Sequence, residues 1–295
     1  MIEKNKPEIW GGIECTLNRI GDRYCNQLEY SGHVSRPEDI ERFAELGFKT
    51  LRYPALWSLA APQSLDDIDW TWIDERFGKL RDCDITPITG FMHHGSGPRY
   101  TSLLDDDLPK KLAYFAGKFA ERFPWVEKFT PINEPLTTAR FSGLYGIWYP
   151  HEKSDFAFLK MLLNQCRAII LAMREIMKIT PKAQLIQTED LGKVFTTPKL
   201  QYQADFENER RWLTWDLLCG NVDEKHALWD YLLWAGIKAS ELHWFLNSSL
   251  QPEIIGVNYY VTSERFLDRR IRKYPNEMRG GNGHHAYVDT EAVRV

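Results

Sequence analysis

Val126-Glu127-Lys128-Phe129-Thr130-Pro131-Ile132-Asn133-Glu134-Pro135 begins as a short apolar run and ends in a carboxylate followed by proline. The run from Val126 to Ile132 reads as a buried strand. In a chain of repeating strand–helix units, the carboxyl end of a strand is where catalytic side chains are carried. Glu134 therefore stands as a candidate proton donor. No other carboxylate in the sequence is an evident partner for it.

On both sides of this stretch, short apolar runs alternate with longer segments of helical period, the pattern of βα units around a parallel sheet. Strands are predicted at Ile9–Glu14, Lys49–Tyr53, Thr86–Met92, Ala183–Gln187 and Glu253–Asn258, besides the Glu134 strand. Helices are predicted at Arg36–Leu46, Trp72–Cys83, Pro109–Phe123 and Ser154–Ile179, with further helix from about Asn208 to Asn247. Ser35 reads as the first N-cap and Gly47 as the matching C-cap. The fold class implied is a (β/α)8-type barrel of about six units. After Asn258 too little chain remains for two more units of roughly 30 residues each. Residues 1–268 are expected to form this domain, and 269–295 a polar tail. The barrel cannot close on these residues, so open strand edges are expected to favour self-association or to receive a further C-terminal domain.

The chain has 295 residues, 43% of them hydrophobic, enough for a large core. A net charge of -4 argues against a nucleic-acid or anionic-membrane surface. The N-terminal Met-Ile-Glu-Lys-Asn-Lys-Pro-Glu has no apolar leader core, and no 18 apolar residues run together. The expectation is a cytoplasmic protein. Five scattered cysteines without a CxxC point to reduced thiols rather than a disulfide framework or zinc site. Eleven Trp and thirteen Tyr exceed what packing alone asks for, and ring faces are common platforms for sugars. Plain packing is the competing reading.

Five motifs, in order, resemble glycoside hydrolase family 1, the β-glucosidase-type barrels. Thr130-Pro-Ile-Asn-Glu-Pro135 resembles the family's T-x-N-E-P acid/base motif. Trp10-Gly-Gly-Ile-Glu-Cys-Thr-Leu-Asn18 resembles its first-strand segment, with Asn18 where the family has a sugar-binding Gln. Leu51-Arg-Tyr-Pro-Ala-Leu-Trp-Ser58 is similar to Y-R-F-S-I-S-W-S, which puts Arg52 at the arginine beside the nucleophile. Phe91-Met-His-His-Gly-Ser-Gly-Pro98 is similar to L-Y-H-W-D-L-P, with His94 at the sugar-binding His. Ile255-Gly-Val-Asn-Tyr-Tyr260 resembles G-x-N-Y-Y, whose last Tyr contacts the nucleophile. The resemblance covers about residues 9–265. Gly95 stands where the family has Trp, Pro54 interrupts the second motif, and the T-E-N-G nucleophile motif is absent. In these departures the chain is similar to the glycosidase-like N-terminal module fused to sugar-nucleotide (dTDP-4-dehydrorhamnose) reductases.

The resemblance implies retaining cleavage of a β-glycoside, which needs two carboxyl groups about 5–5.5 Å apart. Glu134 would be the acid/base, with the nucleophile outside these residues. Asn133 would bond the sugar 2-hydroxyl, and Arg52 and Tyr260 would attend the nucleophile. Asn18, His94 and Trp148 would complete the sugar pocket. No cofactor or metal follows from that chemistry, and the partner is a small carbohydrate. Bland readings stand beside these: Glu134 as a helix cap, Arg52 in a salt bridge to Glu14 or Glu134, Tyr260 as core, and Trp57 and Trp148 as packing. His93, His94, His284 and His285 lack metal-ligand spacing. Glu189, in Gln187-Thr-Glu-Asp190, looks like T-E-N but lies one strand after Glu134 rather than three. The rival from another class is a silent sugar-binding or regulatory module that keeps the pocket and turns nothing over.

Overall fold

The computed structural model describes residues 7–260, 263–276 and 285–287. One sheet holds six strands: β1 (Trp10–Gly12), β2 (Thr50–Pro54), β3 (Thr86–Gly90), β4 (Lys128–Phe129), β5 (Gln184–Asp190) and β6 (Ile254–Asn258). Their spatial order is their chain order. The pairs β1/β2, β2/β3, β3/β4 and β4/β5 are all parallel. A doubly wound sheet reverses its order at a switch point, whereas a barrel sheet adds each strand beside the last. The expected fold class, an incomplete (β/α)8-type barrel, is the one found.

Backbone contacts divide the chain into two compact units. The first comprises the described residues up to Gln187 and Pro252–Ile254; the second comprises Thr188–Gln251 and the described residues from Ile255 onward. In the first unit the helices α1 (Asp39–Glu45), α2 (Thr71–Asp82), α3 (Leu108–Arg122) and α4 (Asp155–Ile179) follow successive strands. Ser154 caps α4 by accepting from the Ala157 N–H, as a serine before an apolar helical run should. The core of α2, α3 and the sheet is aromatic: Phe77, Phe91, Phe119 and Phe129 are fully buried, with the Phe91 and Phe119 ring centres 5.3 Å apart. Much of the aromatic surplus is therefore packing. By composition α4 is long and apolar enough to cross a membrane, yet 78% of that window is buried in the fold.

The second unit holds α5 (Gln201–Cys219), a short helix at Trp229–Trp234 and α6 (Ala239–Ser248). It also carries a small sheet of Val194–Thr196, Arg265–Leu267 and His285–Tyr287. The helical stretches expected from about Asn208 to Asn247 are these three helices, divided at two glycines. Gly220 at φ +69° ends α5 in a left-handed cap, and Gly236 at φ +98° turns the chain before α6.

Two expectations near the first strands are corrected. Ser35 caps nothing: it closes a 3-10 turn, His33–Ser35, and α1 starts only at Asp39. His33 holds that turn in place, its ring lying 2.9 Å from Asp39 Oδ2 and 2.7 Å from the Tyr53 hydroxyl. A hairpin, Leu17–Ile20 against Arg23–Asn26, follows β1 and turns at Gly21 with φ +58°.

Candidate active site

The ladder between β3 and β4 runs at one register, Ile88 opposite Lys128 and Thr89 opposite Phe129. Pro131 has no N–H to offer, so the ladder breaks there. Its carbonyl accepts from both Phe91 N–H and Met92 N–H, and pairing resumes in the same register at Met92/Ile132 and His93/Asn133. The outcome is to put His93 directly beside Asn133 at the carboxyl end of the sheet.

The next residue on each strand leaves extended geometry. His94 sits at φ +56° and Glu134 at φ +45°, a left-handed region costly for non-glycine residues. In an extended strand consecutive side chains point to opposite faces. The left-handed residues bring His93 with His94, and Asn133 with Glu134, to one place.

Asn133 organises that place. The Arg52 guanidinium donates to its Oδ1. An arginine cannot accept, so the amide oxygen must face Arg52 and the NH2 the other way. Asn133 Nδ2 lies 3.1 Å from His93 Nε2 and 3.1 Å from His94 Nε2, and donates to both. Each neutral imidazole therefore carries its hydrogen on Nδ1. His94 Nδ1–H donates to Thr138 Oγ1 at 3.1 Å, and His93 Nδ1–H to Cys15 Sγ at 3.2 Å. Burial holds the His93 pKa well below the usual imidazole value, helped by His94 and the Arg52 charge. Burial also lowers that of His94, against the opposing pull of Glu134 and Glu14. The Cys15 thiol is pushed up to about 12 by burial, so it is a packed donor–acceptor and not a nucleophile.

Glu134 is 3% exposed, and its Oε2 lies 3.8 Å from His94 Nε2. It precedes the short helix Pro135–Ala139 but its side chain makes no capping bond there. The Trp148 ring centre is 5.3 Å from that of His94, and its other neighbour is Phe141 at 4.7 Å. Asn18 is buried on the hairpin, and its Oδ1 has no hydrogen-bond partner among the described residues. Trp57, by contrast, is fully buried against Tyr100 and Phe115 and is core. Gly95 is explained by the hairpin: a Cβ there would stand 2.4 Å from the Leu17 carbonyl oxygen. The hairpin backbone occupies the space into which a larger residue would project.

In the second unit Tyr260 is 56% exposed, its backbone N–H bonded to Ser263 Oγ at 2.8 Å. Glu189 is fully buried there and accepts from Thr214 Oγ1 at 2.6 Å. Among the described residues no group of three or more His, Cys, Asp or Glu could hold a metal ion, and His284 lies outside them. His93, Cys15 and Glu14 were not singled out as site residues by sequence. The available signal was the His93-His94 pair at a strand end, where one of two neighbours should have pointed away.

No protein-family model matches the chain. Solved structures do. The β-glucosidase from Thermotoga maritima in complex with deoxynojirimycin superposes with a TM-score of 0.70 at 16% identity, over 85% of this chain and 60% of that one. The AHE enzyme from Alicyclobacillus herbarius gives 0.71 at 15%, over 88% and 59%. The family 1 β-glucosidase from Thermotoga maritima in complex with isofagomine lactam gives 0.69 at 15%, over 87% and 58%. The chain has the fold of a family 1 β-glucosidase. It spans about three fifths of the length of these three chains.

Proposed function

We propose that this chain carries the acid/base half of a retaining β-glycoside site, with Glu134 as general acid/base and a nucleophile supplied from outside these residues. The observation that carries the reading is the convergence of Asn133, His94 and Trp148 around a buried Glu134. A carboxyl group beside a fixed amide and an aromatic face suits a bound sugar ring. Glu134 would give its proton to the glycosidic oxygen as the C1–O bond breaks, then take one from the water that releases the sugar. Asn133 would bond a ring hydroxyl more strongly as charge builds at C1. Arg52 fixes the amide from behind and would also pair with an anionic nucleophile. Asn18 would offer its buried Oδ1 to a hydroxyl, and Tyr260 would contact the nucleophile.

The same residues serve a silent sugar-binding module of a larger carbohydrate or sugar-nucleotide enzyme, such as one fused to a reductase, acting in the cytoplasm. Hydrolysis of 4-nitrophenyl β-glucoside and β-galactoside, run alongside melting temperature with the corresponding methyl glycosides, tests both. The expected result is a rise in melting temperature with little or no turnover. Fast turnover abolished by Glu134→Gln would place a working nucleophile within the chain. No thermal response to any glycoside would remove the sugar site altogether.

A further inference from the structure

We infer that Glu14 is a sugar-contacting, specificity-determining carboxylate of this same site, accepting hydrogen bonds from one or two glycone hydroxyls. The inference rests on the sugar-site reading and adds a residue to it.

Glu14 follows the end of β1. Ile13 N–H still donates to the Arg52 carbonyl at 3.2 Å, so Glu14 is the first residue beyond the ladder, at the carboxyl end where Asn133 and His93 stand. Its Oε1 accepts from Thr16 N–H at 2.9 Å, which orients the carboxylate, and the same oxygen lies 3.8 Å from His93 Nε2. Oε2 makes no hydrogen bond among the described residues, and the side chain is 61% exposed. Glu14 and Glu134 thus stand at opposite ends of one short chain of groups: Glu14, His93, Asn133, His94, Glu134.

The environments of the two carboxylates differ. Glu134 is buried at the head of a helix, while Glu14 faces solvent with one oxygen uncommitted. A carboxylate held by its own backbone and open on the other side is built to accept. Hydrogen bonds from hydroxyls to an ionised acceptor are about twice as strong as neutral ones. The His93 and His94 Nε2 atoms face Asn133 as acceptors, so neither ring donates a hydrogen there. Glu14 gives the pocket an anionic acceptor from β1, and that is the chemistry a polyol needs.

The test is titration calorimetry of the full chain with methyl β-glucopyranoside, methyl β-galactopyranoside and their monodeoxy analogues, on wild type, Glu14→Gln and Glu134→Gln. Glutamine keeps an amide oxygen for Thr16 N–H, so the melting temperature of Glu14→Gln should stay at the wild-type value. Binding of the parent glycosides should weaken roughly tenfold or more, about 1.4 kcal/mol. At least one deoxy analogue should lose affinity on wild type yet lose nothing further on Glu14→Gln, the signature of a removed pair. Glu134→Gln should still lose affinity for that same analogue, because its Glu14 acceptor is intact. Wild-type affinity in Glu14→Gln, or an equal loss across every analogue, overturns the inference while leaving the sugar site standing. Failure of wild type to bind any glycoside overturns both.

Discussion

His94 and Glu134 are both non-glycine residues in left-handed backbone, and their side chains approach to 3.8 Å. Each such residue costs of the order of 1–3 kcal/mol and persists only where the surroundings enforce it. Here the enforcement is the strand register that sets His93 beside Asn133, followed by the Asn133 amide that binds both imidazoles.

Asn133 is the shared partner in that arrangement, so Asn133→Ala should be felt twice. Arg52 loses an acceptor and two buried imidazoles lose a donor, at a cost of about 1–3 kcal/mol. Denaturant unfolding should report that loss, and glycoside affinity should fall about tenfold or more. A variant as stable and as tight as wild type would contradict the network.

The buried histidines set a pH window. Both imidazoles protonate below the ordinary value in the folded state, whereas the unfolded chain takes those protons near pH 6.5. Below about 6.5 the unfolded state therefore binds more protons, and stability is expected to fall as pH drops through that range. Melting temperature measured from pH 8 to 5 should decline on the acid side and decline less in His93→Gln. Asn133→Asp puts a carboxylate against both rings and should move their NMR titration midpoints upward.

Gly95→Ala tests the claim that the hairpin backbone has taken the space. The new Cβ would meet the Leu17 carbonyl oxygen at 2.4 Å, so backbone must move. Overpacking of this kind costs typically about 1–3 kcal/mol. At about 2–4 °C per kcal/mol for a chain of this size, the melting temperature should drop by several degrees. An unchanged value would mean that the hairpin yields freely.

Ile255 and Val257 on β6 are 57% and 53% exposed, and Ile9 beside β1 is 74% exposed. Apolar strands with exposed side chains at a sheet margin invite pairing with another chain. Size-exclusion with light scattering should show self-association that grows with concentration and weakens in Val257→Lys. A monomer at every concentration would exclude these surfaces as an interface.

Much of the architecture was legible because it is written in local patterns. Apolar runs of strand length alternating with helical periods gave the six strands within a few residues, and Ser154 marked the start of α4. The hairpin at Leu17–Asn26 was not read, since its strands are short, polar and only partly buried, and its turn rests on a single glycine. The 3-10 turn at His33–Ser35 escaped because His33 is held by Asp39 and Tyr53, the latter twenty residues away in sequence.

By itself, the sequence determined the order of strands and helices, the parallel sheet they form, and the seating of Glu134 at a strand's carboxyl end. Periodicity and turn residues act between near neighbours, and near neighbours settle those matters. Only the tertiary structure decided that Trp57 is core while Trp148 meets His94, and that Gly95 answers to a distant carbonyl. It alone joined Arg52, His93 and His94 through one amide, with Cys15 bonded behind His93. Those relationships join residues far apart in the chain, and they exist only once the sheet register and two left-handed residues have turned four side chains toward one point.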